Sequence, residues 1–273
     1  YKNDGSILFS DYRMMKSTDG NTTETIVGST SSGYQEGIGS AARFKTITGF
    51  TQISKTNVAI VDYPSHCLRM LNRKTQATSR LAGVCTTYGN VNGKSGRFYS
   101  PWGVVLDSRD PNKLFVTDYS NNALRSVLIN TGEISTVISG LNNPRGLRWN
   151  FDKTSLFITN EHYIREVKFD GKGSVTKNVN LAGSTSSGNV DGTPSQARFY
   201  TPFDIAPLLK GVEVIADYSN ARLRIIDTNF NQTHTIWLSG ASSSLVKRAC
   251  SVLPVSDDLY FAYSHIIYKL SGE

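Results

Sequence analysis

The stretch "VIADYSNARLRII" at Val214–Ile226 has a near copy, "LFVTDYSNNALRSV" at Leu114–Val127, its matching residues 99 positions earlier. Each runs from an apolar segment through Asp-Tyr-Ser-Asn into a second apolar segment that carries an Arg. Self-similarity of this kind is the mark of a repeat architecture. Four weaker copies complete the set: "ILFSDYRMMKS" at Ile7, "AIVDYPSHCLRML" at Ala59, "LFITNEHYIREV" at Leu156 and "LYFAYSHIIYKL" at Leu259. The basic residue of each copy is Lys16, Arg69, Arg125, Arg165, Arg224 or Lys269. Asp62, Asp118 and Asp217 stand seven residues before their Arg, while Asp11 precedes Lys16, and Asn160 precedes Arg165, by five.

Each copy is flanked by further strand-like segments. Downstream lie β-rich runs ending in Gly, such as "ATSRLAG" and "KNVNLAG"; upstream lie runs opened by Pro-x-Gly or a relative, such as "SPWGVVL" and "TPFDIAP". A unit is therefore about 42–57 residues with four short antiparallel strands, the size of a β-propeller blade. One such sheet cannot bury both faces alone, so the copies must stack against each other. The fold class expected is all-β: a propeller of six blades, with five blades as the alternative. Residues 1–273 form one domain in this reading, with blades near 1–28, 44–83, 98–140, 141–183, 199–240 and 245–273. The first unit lacks an evident inner strand and the last lacks an outer one.

The totals agree with a folded β protein. Of 273 residues, 38% are hydrophobic and 19% charged, which is too apolar for disorder. No apolar run approaches the ~18 residues of a membrane-crossing helix, so no membrane insertion is expected. The opening "YKNDGSILFS" has no cleavable leader pattern, and Tyr1 begins almost inside a strand, as in a segment of a longer chain. The net charge of +7 admits nucleic acid, anionic glycans or acidic proteins as partners without choosing among them.

Three Gly-rich loops, "GIGSAARF" (Gly37–Phe44), "GNVNGKSGRF" (Gly89–Phe98) and "GNVDGTPSQARFYTP" (Gly188–Pro202), precede new blades. With the Pro-x-Gly and Asp-to-Arg elements in fixed order, the chain resembles the NHL-repeat propellers from about Ile7 to Leu270. Two junctions, after Gly140 and after Gly240, lack the Arg-Phe loop. The resemblance implies a rigid scaffold that binds ligands through one face. It also brings two alternatives: some NHL propellers bind single-stranded RNA on a basic face, and a related propeller lyase holds zinc through histidines.

The repeated Asp11, Asp62, Asp118, Asp217 and Lys16, Arg69, Arg125, Arg165, Arg224, Lys269 read as a structural ion-pair set, since they follow the repeat rather than cluster. Tyr12, Tyr63, Tyr119, Tyr218 and Tyr263 are expected to pack between blades. By repeat logic the loops emerge on the same face, where variable segments on a rigid scaffold build binding surfaces. The candidates there are Tyr34, Arg43, Tyr88, Lys94, Arg97, Tyr99, Trp102, Arg198 and Tyr200. Arg43, Arg97, Arg198 and Lys94 would also serve RNA.

Cys67 and Cys85 lie on the two arms of one hairpin, which returns their thiols to about the same level, and NHL relatives carry a similar pair. A disulfide is the preferred reading over two free core thiols; it would imply an oxidising compartment and a secreted or surface protein. Two sequons, at Asn21 and Asn231, agree with this. Of four histidines, His66 and His162 occupy one repeat position, His265 is one step removed and His234 falls in an outer strand, and nothing in their spacing demands the three or four converging ligands of a zinc site. No nucleophile elbow, phosphate loop or Cys-x-x-Cys pair is present. The expectation is a binding module for a protein or glycan, without catalytic residues, metal or cofactor.

Overall fold

The computed structural model describes residues 6–236, 249–255, 258–263 and 266–271. Among the described residues, twenty-two strands form six antiparallel sheets, each meandering in chain order. Blade 1 comprises β1 (Ile7–Asp11), β2 (Met14–Thr18) and β3 (Thr23–Gly28); blade 2, β4 (Ile47–Gln52), β5 (Asn57–Asp62), β6 (Cys67–Asn72) and β7 (Ala77–Ala82). Blade 3 comprises β8 (Pro101–Leu106), β9 (Lys113–Asp118), β10 (Ala123–Leu128) and β11 (Ile134–Ile138). Blade 4 comprises β12 (Leu147–Trp149), β13 (Leu156–Thr159), β14 (Tyr163–Phe169) and β15 (Val175–Gly183). Blade 5 comprises β16 (Pro202–Leu209), β17 (Val212–Asp217), β18 (Arg222–Asp227) and β19 (Gln232–Thr235). Blade 6 comprises β20 (Ser251–Val255), β21 (Asp258–Tyr263) and β22 (Ile266–Ser271). The protein is a six-bladed β-propeller, and the five-blade alternative falls away. Two compact units, residues 1–141 and 142–273, hold three blades each.

The second strand of a blade explains why it is written as an unbroken apolar run. In "NVAIVD" of β5, Val58 and Ile60 face blade 1, packing with Leu8, Met15, Ile26 and Phe44. Ala59 and Val61 face blade 3, packing with Phe98, Val104 and Val116. A strand buried on both faces has no solvent side on which to alternate polar residues. Blade 5 behaves alike: Ile215 joins Phe157 and Phe199 on one side, while Val214 and Ala216 join Val252 and Phe261 on the other.

The Phe of each Arg-Phe pair is a plug. Phe44, Phe98 and Phe199 are fully buried between successive blades. The glycine ending the preceding blade makes room: Gly183 has φ +85, and a Cβ there would lie 2.8 Å from the Phe199 ring and 2.8 Å from the His162 carbonyl. Only glycine meets both demands without strain.

Candidate binding face

The turns between second and third strands are single 3-10 turns: Tyr63–Ser65, Tyr119–Asn121 and Tyr218–Asn220. Each is preceded by a buried Asp and followed by a left-handed residue, His66, Asn122 or Ala221. The Asp carboxylate is the local organiser. Asp118 Oδ1 accepts from the Tyr99 N–H at 2.8 Å, and Oδ2 accepts from Asn121 Nδ2 and Arg125 Nη1, both at 2.8 Å. Asp217 repeats this with Tyr200 N–H (2.8 Å), Asn220 (2.8 Å) and Arg224 (3.1 Å). In blade 2 Ser65 replaces the Asn, Asp62 Oδ2 has no hydrogen bond, and the Asp62–Arg69 separation widens to 3.6 Å. Burial pushes Asp118 and Asp217 up to about 6, outweighing their donors, and pushes Asp62 up as well.

The guanidinium groups of Arg69, Arg125 and Arg224 are fully buried. Each lies over its blade's plug, with Arg69 4.0 Å from the Phe44 centroid, and each is capped by the Gly-rich loop. Arg125 donates to Val91 O, Asn90 and Asn92; Arg224 donates to Val190 O, Arg198 O and Asp191; Arg69 donates to Gln35 O, Arg43 O and Glu36. Blade 1 keeps a half-buried version, Lys16 to Asp11 at 2.5 Å. Blade 4 has Asn160 in the Asp position, and Arg165 bonds Asn178 and Asn180 instead. In blade 6 the register places Ala262 there, and Lys269 pairs with Asp258 at 2.9 Å.

The Gly-rich loops depart from the expected arrangement. They do not stand out from the face on which they begin. The second and third fold as hairpins, with Val91 bridging Arg97 and Val190 bridging Arg198, and their tips run to the far end of the next blade: Gly93 pairs with Ile134 and Gly192 with Thr233, and in the first loop Ile38 pairs with Ala77. Lys94, beside Gly93, is thereby separated from Tyr99 by the length of a strand. Tyr34 is half-buried, its ring 5.2 Å from the Arg69 guanidinium and its hydroxyl donating to Glu36. Arg198 donates to the carbonyls of Ser195, Gln196 and Ala197, closing its own loop. Arg43 and Arg97 are exposed beside their hairpins.

What gathers at the turn end of the blades is aromatic. In the first unit Tyr88 and Tyr99 stack at 4.7 Å, with the His66 ring edge-on to both at 5.8 Å. Tyr88 is 61% exposed and Tyr99 39%. Trp102, at the start of β8, is flanked by Tyr63 (5.1 Å) and Tyr119 (5.7 Å). The Cys67–Cys85 disulfide, Cα–Cα 5.0 Å, fixes the segment that carries Tyr88 to the strand that follows His66. His66 Nδ1 accepts from the Ser100 N–H at 3.1 Å, so the ring is neutral and Nε2 carries its proton; burial, with Lys45 nearby, lowers its pKa. In the second unit the same positions hold Tyr200, 46% exposed and 5.5 Å from His162, and Phe203 stacked on Tyr218 at 3.9 Å with Arg145 over it.

Of the nine candidates, Tyr88, Tyr99 and Trp102 thus share one blade end, with Tyr200 at the equivalent place in the second unit. Sequence reasoning assigned Tyr63, Tyr119 and Tyr218 to packing between blades. Tyr63 does bridge blades 2 and 3, but Tyr119 and Tyr218 stack within their own blades; Tyr12 is 55% exposed. Their position next to the turn Asp was the signal that they frame this end. His234 lies on β19, and His265 and the Tyr263 side chain lie outside the described residues. Among the described residues no three His, Cys, Asp or Glu converge as a metal site, and no helix is long and apolar enough to cross a membrane. Asn21 and Asn231 are exposed in turns.

No protein-family model matches the sequence, and no curated protein matches it. The solved structures it resembles are six-bladed propellers, and at their low identity the likeness is one of fold. An auxiliary nutrient binding protein from Bacteroides ovatus aligns with TM-score 0.74 and 14% identity over 98% of this chain, which spans 66% of that protein's length. A gluconolactonase from Xanthomonas campestris aligns with TM-score 0.68 and 12% identity, covering 97% of this chain and 82% of that one. A chain of a nidogen/laminin complex aligns with TM-score 0.66 and 13% identity, covering 94% and 84%. Proteins described as binders and an enzyme thus share the architecture, so function must be argued from the site.

Proposed function

We propose that this chain is an NHL-type propeller acting as an extracellular or cell-surface binding module, without catalysis, that holds a protein or glycan ligand on the aromatic end of its blades. The observation that carries the reading is the Tyr88–Tyr99–His66 cluster beside Tyr63–Trp102–Tyr119. Rings held beside turns that are anchored on buried Asp side chains offer preorganised apolar faces with polar tips, at low entropic cost on binding. Separate small aromatic clusters, rather than one broad apolar patch, favour a glycan, whose sugar C–H faces lie on single rings. Location outside the cell is supported by the disulfide and by the two exposed sequons, which we assign as glycosylation sites at Asn21 and Asn231. Propeller neighbours described as a nutrient binding protein and as part of a nidogen/laminin complex are consistent with a binding role. The test is a glycan array probed with the purified chain, followed by titration of any retained glycan while monitoring tryptophan fluorescence. Saturable retention of a defined glycan class is expected, with a change in tryptophan emission that Trp102→Phe abolishes; retention that leaves the emission untouched, or a change that survives Trp102→Phe, would move the ligand off this face, and an array without hits would leave the protein ligand to be tested in its place.

A further inference from the structure

We propose a second binding site, at the opposite end of blade 2, for an acidic polysaccharide bearing sulfate or carboxylate groups. A cleft of about 300 Å³ opens between β3 of blade 1 and the two hairpin turns of blade 2, with Lys55, Arg73 and Lys74 lining it beside Thr56, Gln76 and Glu24. That volume is at the lower end of ligand-sized clefts and admits a short segment of a chain. The cations are presented from stiff backbone. Ser54 Oγ accepts from the Thr56 and Asn57 N–H groups, and Asn72 Oδ1 accepts from those of Lys74 and Thr75. The Arg73 N–H donates to Thr56 O at 2.7 Å and ties the two turns together.

Among the described residues none of the three cationic side chains makes a hydrogen bond or ion pair. Glu24, the acid on the wall, is engaged by Ser17 Oγ at 2.9 Å. Three cations against the single carboxylate of Glu24 leave the cleft net positive, and an anion relieves the repulsion among them. Arginine and lysine from separate turns suit a chain of spaced anionic groups better than a single buried phosphate, for which a nest of backbone N–H groups would be expected. No aromatic ring lines the cleft, so the stacking platform on which single-stranded nucleic acid binding depends is missing. Because the cleft sits by Asn57 at one end of β5 and Tyr63 follows its other end, this site stands independently of the aromatic face.

The test uses the whole chain on immobilised heparin, on fully desulfated and carboxyl-reduced heparin, and on a single-stranded RNA oligonucleotide, each over a salt series. The triple variant Lys55→Ser/Arg73→Ser/Lys74→Ser is compared with Lys153→Ser/Lys172→Ser/Lys210→Ser, which removes the same charge elsewhere. Thr56→Asp serves as a single-site check should the triple variant fold poorly. The expected result is salt-sensitive binding to heparin alone, weakened at least tenfold in the cleft triple and in Thr56→Asp, and within twofold of wild type in the control triple. Equal weakening of both triples, no retention on heparin at low salt, or tighter retention on RNA would each overturn the proposal.

Discussion

Asp118 holds three things at once: the entering backbone at Tyr99, the turn at Asn121 and the buried Arg125. Removing its charge leaves a guanidinium without a counter-ion inside the protein, a loss of about 3–5 kcal/mol by precedent for buried pairs. Asp118→Asn is therefore expected to lower chemical-denaturation stability by that order, and a change under 1 kcal/mol would refute the organising role. Glu213 on β17 presents the contrary case. It is 1% exposed, its Oε2 has no hydrogen bond, and burial, with Asp152 adding repulsion, pushes its pKa up to about 8. The folded protein thus keeps a proton that the unfolded chain, with an ordinary glutamate pKa near ~4.3, gives up across the interval between. Stability falls as pH rises through that interval and levels off above 8. Between pH 6 and 8, above the values of Asp118 and Asp217, the slope is of order 1 kcal/mol per pH unit. Glu213→Gln should flatten it, as thermal melts at pH 6, 7 and 8 would reveal; an unchanged slope would assign the effect elsewhere.

At the scale of elements, the blades were legible and the loops were not. A doubly buried strand such as "NVAIVD" announces itself as an apolar run, and the Arg two places beyond the opposing register follows from the seven-residue spacing. The path of the Gly-rich loops depends on contacts across more than 30 residues, Gly93 with Ile134 and Gly192 with Thr233, for which no local pattern exists. Hence Lys94 and Tyr34 read as face residues although the fold carries one to the far end and turns the other onto Arg69. Nothing in the alternation of "VEVIAD" marks Glu213 as lacking a partner, since a charged residue there reads as solvent-facing. The disulfide joins the legible to the illegible part, because it pins the start of a Gly-rich loop to β6. Replacing Cys67 and Cys85 by Ser opens an 18-residue separation and is expected to cost about 3 kcal/mol by loop-closure entropy. It should also loosen Tyr88, so that hydrogen exchange rises in residues 84–90 more than in the matching 184–190 segment; a uniform rise would mean the bond stabilises only globally.

Across the whole molecule the same division of labour recurs in blades 2, 3 and 5. Buried Asp–Arg pairs and Phe plugs hold the sheets, and the turn ends present rings in both units. The hairpin end of blade 2 carries charge instead. Such a scaffold has no need to move in order to bind, which suits a module whose contacts are set in advance. The central claim, that the aromatic end is the ligand-binding surface, is tested most directly by titrating the glycan retained on the array against wild type and Tyr88→Ala/Tyr99→Ala at matched thermal stability. The account predicts at least a tenfold loss of affinity with the melting temperature within a few degrees of wild type. Equal affinity in the two proteins would contradict it.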